Sequence, residues 1–324
     1  MMLKIKDQII SLLSKGDKDF WDILKAIDVP IKNVCKVLQD LLDDGTLTLE
    51  ANKFHLTKTL SLKEKHEQKD AIKKFHEISK LRPEIKPEFF QTPILESDVF
   101  KRVEFMRSRQ DLENQKIAIL GDDDLLSLAI SLATAETEVL VLEIDKSLVE
   151  FINKAANEHG LNVKALEYNA AKPIPAHLKE KFDTFITDPV ETLLGLKVCL
   201  SRGASLLKSN GVMYFGLTML ETPLNIWQEV ERALLDMNFV ITDIMRNFSF
   251  YEPTEYDIKA LRQNLSLPFL EKIEKPRKPW YRSSFIRAEA IGKPKPLIEV
   301  EIEFTKEFYF DDYQVTFYSD ESST

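Results

Sequence analysis

From residue 116 onward, short apolar runs and amphipathic stretches take turns along the chain, and few folds accept that pattern. "KIAIL" (116–120), "EVLVLEI" (138–144), "NVKALEY" (162–168), "FDTFIT" (182–187) and "VMYFGLT" (212–218) read as buried strands. "DLLSLAISLATA" (124–135), "KSLVEFINKAANEHG" (146–160) and "ETLLGLKVCLSRGASLLKSNG" (191–211) read as helices, the last closed at Gly211. "TPLNIWQEVERALLDMN" (222–238) is a further helix, with Pro223 in its first turn. Strands alternating with helices predict a parallel, doubly wound sheet with right-handed crossovers. Two long strands, "FVITDIMRNFSF" (239–250) and "SSFIRAEAI" (283–291), follow, separated by an insertion over about 249–282.

Those last two strands would form an antiparallel edge. The expected class is therefore α/β, a Rossmann-like fold of the class I methyltransferase type, preceded by a smaller domain. Residues 1–58 read as helix, helix, helix, hairpin, the order of a winged helix-turn-helix. Asp17 or Asp19 can cap the second helix, and Pro30 and Gly45 bracket the third. Residues 59–92 read as a charged linker helix ending in a Pro-rich connection at Pro83 and Pro87. The main domain is expected over 93–300, and an acidic, aromatic tail over 301–324.

Charge narrows the function. The head carries nine lysines, no arginine and nine acids, so it lacks the basic excess that phosphate neutralisation requires. A nucleic-acid partner is not expected, and Lys32, Lys36 and Gln39 read as a solvated face. The whole chain is at −9, which suits a cationic ligand. No apolar run is long enough to span a membrane and no signal-peptide pattern opens the chain, so a cytoplasmic protein is expected. Cys35 and Cys199 read as two buried thiols, and the histidines as surface residues without a metal partner.

In a doubly wound sheet, ligands bind outside the C-terminal ends of the strands. That rule collects Gly121–Asp124, Glu143–Asp145, Tyr168–Asn169 and Thr187–Glu191. A dinucleotide loop would read G-x-G-x-x-G there. Only Gly121 is present, followed by Asp122, Asp123 and Asp124, which would repel a phosphate. One aspartate suffices to cap the next helix. Three, with Asp188 facing them, call for a cation. An adenosine carried on a cation fits, with Glu143 taking the ribose hydroxyls. No Arg or Lys clamp stands in these loops, which favours a ligand without a carboxylate: decarboxylated S-adenosylmethionine or a polyamine.

The strings "ILGDDDLLSLA", "LEID", "FDTFITDP" with "ETLLGLK", and "SRGASLLKSNG" resemble the branched-chain polyamine synthases, the N4-bis(aminopropyl)spermidine synthases of thermophilic archaea and bacteria. The resemblance runs over essentially the whole chain, including "QTPILESDVFKRVEFMRSR". It implies a transferase moving aminopropyl groups from decarboxylated S-adenosylmethionine to the N4 amine of spermidine, releasing methylthioadenosine. The nucleoside is a co-substrate, so no cofactor and no metal is expected. Where many relatives read DPP, this chain has Asp188–Pro189–Val190.

On that resemblance, Asp188 is the expected base or amine-orienting residue and Asp124 the second candidate. Gly121, Asp122, Asp123, Glu143, Ile144 and Asn169 are the expected donor site. Asp123, Asp188, Glu191, Tyr251 and Glu252 are expected to meet the acceptor, spermidine or another polyamine. Tyr251, Glu252, Glu255, Tyr256 and Asp257 mix aromatics with acids in the insertion, which suits a methylene–ammonium chain. A homodimer is expected. Two other classes remain: an S-adenosylmethionine-dependent methyltransferase and a polyamine-sensing winged-helix regulator. Glu191 occupies the place where the DPPY loop of amino-group methyltransferases stacks an aromatic, which argues against a flipped base.

Overall fold

The computed structural model describes residues 2–57, 64–86 and 89–316. Part of the expected linker, including Pro87, and the end of the expected tail (317–324) lie outside the described residues. The chain divides into two compact units, Met1–Asp70 and Ala71–Thr324.

The first unit runs α1 (Met2–Ser14), β1 (Lys18–Asp19), α2 (Phe20–Ala26), α3 (Ile31–Asp43), β2 (Leu47–Glu50) and β3 (Lys53–Leu56). Its strands pair in the order β1-β3-β2, all antiparallel. Asp19 caps α2 by accepting a hydrogen bond from the Asp22 N–H at 2.8 Å. Apolar residues at helical spacing in α1 and α3, among them Ile5, Ile9, Val34 and Leu41, meet Leu47 and Phe54 of the hairpin in one small core. The two-residue β1 is too short to show in sequence. Cys35 is exposed on α3, against expectation; only Cys199 is buried. Lys32, Lys36 and Gln39 are exposed, and Gln39 donates to Asp43 at 2.8 Å.

After α4 (Glu64–Ser79) come α5 (Glu96–Ser108), β4 (Lys116–Leu120), α6 (Leu126–Ala133), β5 (Glu138–Glu143), α7 (Lys146–His159), β6 (Val163–Glu167), β7 (Phe182–Thr187), α8 (Leu193–Leu206), β8 (Leu207–Leu217), α9 (Leu224–Asp236), β9 (Phe239–Phe250), α10 (Tyr256–Leu265), β10 (Arg282–Ala290) and α11 (Lys306–Tyr309). One seven-stranded sheet has the order β6-β5-β4-β7-β8-β10-β9. β4 to β8 are parallel, and β10 runs antiparallel between β8 and β9. The order reverses between β4 and β7, where a crevice opens at the strand C-termini.

The alternation of side chains along a strand sets the layers. Ile117, Ile119, Val139, Val141 and Tyr214 face one way, against Val103 and Met106 of α5, Leu128 of α6 and Ile152 of α7. Ala118, Leu120, Leu142, Phe185 and Phe215 face the other, against Leu196 and Leu200 of α8 and Trp227 and Val230 of α9. The sheet is thus covered on both faces, as its continuous apolar strands require.

Two sequence expectations need correction. The helix expected to run to Gly211 stops at Leu206, and the chain passes directly into β8, so Gly211 lies inside a strand. α5 was not expected at all. Its buried residues include Asp98 and Arg102 beside Val99, Phe100, Val103 and Met106, so charges interrupt the apolar stripe by which a helix is read.

Candidate active site

β4 is followed by Gly121, whose φ of +73° turns the chain out of the sheet. Its N–H donates to the Leu142 carbonyl at 2.9 Å. Asp122 then bends inward. Its carboxylate accepts from the Ser127 N–H (3.3 Å) and the Ser127 hydroxyl (2.5 Å), and its own N–H donates to Glu143 Oε2 at 2.9 Å. Asp122 therefore closes the first turn of α6, across Leu125 held at φ +56°. Burial, with Asp124 and Glu143 nearby, pushes its carboxyl well above the ordinary range.

Asp123 and Asp124 face the other way, toward the segment before α5. The Thr92 N–H donates to Asp123 Oδ2 at 2.7 Å and the Ile94 N–H to Asp124 Oδ1 at 2.7 Å. Arg82 Nη1 donates to the Asp123 carbonyl at 2.9 Å. Asp124 is buried; Asp123 is half-buried. Burial first, then Glu143 and Asp188, pushes Asp123 up to about 7. Burial and Asp123 push Asp124 well above its usual range.

The absence of a cationic clamp, expected from the loops, is not what the structure shows. Arg102, on α5, is 1% exposed and lies between two of the acids. Nη1 is 3.3 Å from Asp124 Oδ2 and Nη2 is 2.8 Å from Asp188 Oδ2. Nε donates to Ser249 Oγ at 2.9 Å, and the guanidinium lies 4.7 Å from the Phe285 ring centroid. Burial opposes its charge, but Asp188 and Asp124 outweigh that and raise its pKa. The sequence signal was an arginine set into the apolar positions of "VFKRVEFM".

Asp188 follows β7. Its side chain is 24% exposed, yet Oδ1 is buried without a hydrogen-bond partner. That oxygen sits over Gly216 of β8, where a Cβ would fall 2.0 Å away. Nearby, Glu191 accepts from the Thr218 N–H (2.9 Å) and Thr222 Oγ1 (2.8 Å), and burial pushes it up to about 8. Tyr251 donates to Ser283 Oγ at 3.1 Å and meets Tyr281 edge-to-face at 5.3 Å. Burial raises both phenols well above the usual range, Asp188 adding to it for Tyr251 and Glu191 for Tyr281. Tyr281 donates to Glu221 at 2.8 Å. Glu221, absent from the sequence expectation, also accepts from the N–H groups of Val315 and Thr316, each at 2.7 Å. Glu252 is exposed, Tyr256 is exposed with Lys259 over its ring, and Asp257 is spent on Thr254 and Trp280.

On the β5 side, Glu143 accepts from the N–H groups of Asp122 and Asp145, each at 2.9 Å, and burial raises its carboxyl. Ile144 is half-buried between them. Asp145 is anchored by Lys86 Nζ (2.6 Å), Gln91 (3.0 Å) and Ser147. Burial opposes its charge, but these donors bring it down to about 2. Asn169 bends back, accepting from the Ala171 N–H at 2.8 Å. Arg202 fixes the same turn by donating to the carbonyls of Ala170 and Ala171. Among the described residues, no three His, Cys, Asp or Glu side chains are grouped to hold a metal ion. A hollow of about 620 Å³ at the opposite end of the sheet, lined by Lys116, Lys181 and Lys208, involves none of these groups.

The geometry is thus an acidic, aromatic crevice in which the buried Arg102 faces Asp124 and Asp188. A family profile described as "Branched-chain polyamine synthase A C-terminal domain" matches residues 70–316. The chain is 36% identical to the N(4)-bis(aminopropyl)spermidine synthase of Thermococcus kodakarensis, over 96% of this chain and 94% of the relative. It is 32% identical to the protein of that name from Methanocaldococcus jannaschii, over 90% and 89%. Among solved structures, it resembles the branched-chain polyamine synthase from Thermus thermophilus in complex with N4-aminopropylspermidine and 5'-methylthioadenosine. There the TM-score is 0.70 and the identity 28%, over 97% of this chain and 93% of that one.

Proposed function

This chain belongs to the branched-chain polyamine synthase family, and from that premise we propose how its residues carry the reaction. It is an aminopropyltransferase: it moves aminopropyl groups from decarboxylated S-adenosylmethionine to the N4 amine of spermidine and releases methylthioadenosine. The N4 lone pair attacks the methylene carbon bonded to sulfur. The C–S bond breaks, its electron pair passes to sulfur, and the sulfonium becomes a neutral thioether. The N4 proton leaves to a carboxylate. A second transfer to the tertiary amine forms the quaternary, branched centre.

Asp188 takes the N4 proton. Its side chain is partly exposed at the end of β7, whereas Asp124 has one oxygen on the Ile94 N–H and the other facing Arg102. Since Oδ1 is buried, Oδ2 is the oxygen within a ligand's reach. Asp123 and Glu191 hold ammonium ends: both are half-buried acids, pushed up to about 7 and about 8, that gain a counter-charge when a polyamine arrives. Tyr251 and Tyr281 flank the methylene chain. Glu143 takes the ribose, with Gly121, Ile144 and Asn169 around the nucleoside. Asp122 is reassigned to closing the α6 turn. Glu252, being exposed, would have to move to meet the acceptor.

The observation that carries this reading is the convergence of Asp123, Asp124, Asp188 and Glu191 on one crevice, with Arg102 set against Asp124 and Asp188. A phosphate would be repelled there, and a polycation is what that charge accepts. The enzyme acts as a cytoplasmic homodimer whose head domain does not engage nucleic acid. Among the described residues, no helix is long and apolar enough to cross a membrane. The test is incubation with spermidine and either decarboxylated or ordinary S-adenosylmethionine, with products weighed by mass spectrometry. Gains of one and two aminopropyl units, only with the decarboxylated donor, are expected. Methylated product with the ordinary donor, or no product with either, would overturn the reading.

A further inference from the structure

An arginine that is 1% exposed is uncommon, and removing its charge from water costs several kcal/mol even after relaxation. Two carboxylates offset that here, but they are not used alike. Asp124 Oδ2 accepts from Nη1 at 3.3 Å. Asp188 Oδ2 is closer to Nη2, at 2.8 Å, yet Nη2 directs no aligned N–H at any acceptor. The pair is held at that short distance, and Oδ2 is the less buried oxygen of the carboxylate. Asp188 Oδ1, on the far side of the carboxylate, occupies the space a side chain at position 216 would fill. It has no donor.

We propose that Arg102 is a positioning residue for Asp188, acting with the missing side chain at Gly216. The guanidinium draws Oδ2 to one side, the niche over Gly216 receives Oδ1 on the other, and the carboxylate plane is fixed between them. Arg102 is itself fixed, by Ser249 at Nε and by the Phe285 ring. Oδ2 is thereby presented to the amine before substrate arrives. The inference rests on the reading of Asp188 as proton acceptor.

The test measures kcat, the KM for each substrate and thermal stability for Arg102→Ala, Arg102→Lys, Ser249→Ala and Asp188→Asn. Misplacement of a reacting group by about 1 Å costs roughly 100-fold in rate. Arg102→Ala should therefore lose kcat by about that factor, with the donor KM within about twofold. Arg102→Lys should recover part of the loss. Low-millimolar guanidinium should restore Arg102→Ala but not Asp188→Asn. Ser249→Ala, which loosens Nε and keeps the charge, should lower kcat by about fivefold. Guanidinium and lysine both failing to restore an Arg102→Ala protein that folds would reduce Arg102 to a folding element and overturn the inference. If Arg102→Ala does not fold, unchanged kcat in Ser249→Ala overturns it. Full turnover in Asp188→Asn would remove the premise itself. Loss there, with intact Arg102 variants, removes only the positioning role.

Discussion

Three arginines are buried in the sheet domain, Arg102, Arg202 and Arg287; Arg102 and Arg287 face carboxylates, and those two are satisfied to different degrees. Arg287, on β10, has a partner at every nitrogen. Nε donates to Asp111 Oδ2 at 2.7 Å, Nη1 to Thr242 at 2.6 Å and Nη2 to Glu289 at 3.1 Å. The Tyr214 hydroxyl donates to the same Asp111 oxygen at 2.6 Å. Arg102 leaves Nη2 unaligned and its partner Asp188 with an orphaned oxygen. Buried polar groups are normally paired, and exceptions concentrate where a ligand completes the set. The Asp111 network is closed within the folded chain, whereas the Asp188 carboxylate keeps its outer oxygen, Oδ2, for the substrate.

The sharpest break of that contrast is Asp188→Asn. Loss of a positioned base costs on the order of 10³ in kcat, about 4 kcal/mol of barrier. Donor binding should hardly change, and the stability loss should be smaller than for Asp111→Asn, since Arg102 keeps Asp124; normal turnover would end the distinction. Asp111→Asn should do the reverse. Stripping the charge from a buried pair costs about 3 kcal/mol of stability, read as a lower midpoint in urea. The fraction still folded should turn over normally, and slowed turnover would mean the two networks are coupled.

Two glycines extend the comparison at smaller scale. A Cβ at Gly203 of α8 would fall 2.3 Å from the Phe185 ring, and one at Gly216 2.0 Å from Asp188 Oδ1. Gly203→Ala should cost about 1–3 kcal/mol of stability by overpacking, with kcat unchanged. Gly216→Ala should cost kcat about tenfold, with the smaller stability loss. The reversed pattern in paired melting and rate measurements would show that Asp188 is not seated by Gly216.

The smallest effect is a matter of protons. Asp123 lies at about 7 and Glu191 at about 8, both above the ordinary carboxylate range, with burial the main cause. The folded protein therefore binds more protons than the unfolded chain between pH 4.5 and 8, the span from Glu191's ordinary value of 4.5 to its shifted one. Ligand-free stability should fall as pH rises through that window. A bound polyamine favours the charged carboxylates, so binding near pH 6.5 should release up to about two protons per active site, about one from each. Calorimetry in two buffers of different ionisation enthalpy measures it; proton uptake would contradict the assignment.

The alternation of strands and helices was legible because parallel strands buried on both faces are nearly pure apolar runs. The positions of Asp122–Asp124, Glu143 and Asp188 follow from it, since each ends a strand at the switch point. Arg102 was not legible. Its helix interleaves Asp98 and Arg102 with the apolar residues it buries, which erases the stripe, and its partners lie 22 and 86 positions away. Nor could sequence divide the three aspartates. That division depends on Ser127, which occupies Asp122, and on the backbone of Thr92 and Ile94, which holds the other two.

Gly211, misread as a helix stop, belongs to an irregularity with its own consequence. Between the pairs Phe182–Leu207 and Thr184–Val212, β7 advances two residues while β8 advances five. The surplus lies at Lys208–Gly211, where Ser209 and Asn210 are exposed, and regular pairing resumes from Val212. Length changes near Ser209 can be absorbed in that slack, leaving Gly216 opposite Asp188. One residue added between Val212 and Gly216 would instead exchange the two faces of the strand and bring a bulky neighbour, Phe215, to the carboxylate. Tolerance to insertion should therefore change abruptly within this one strand, at Val212.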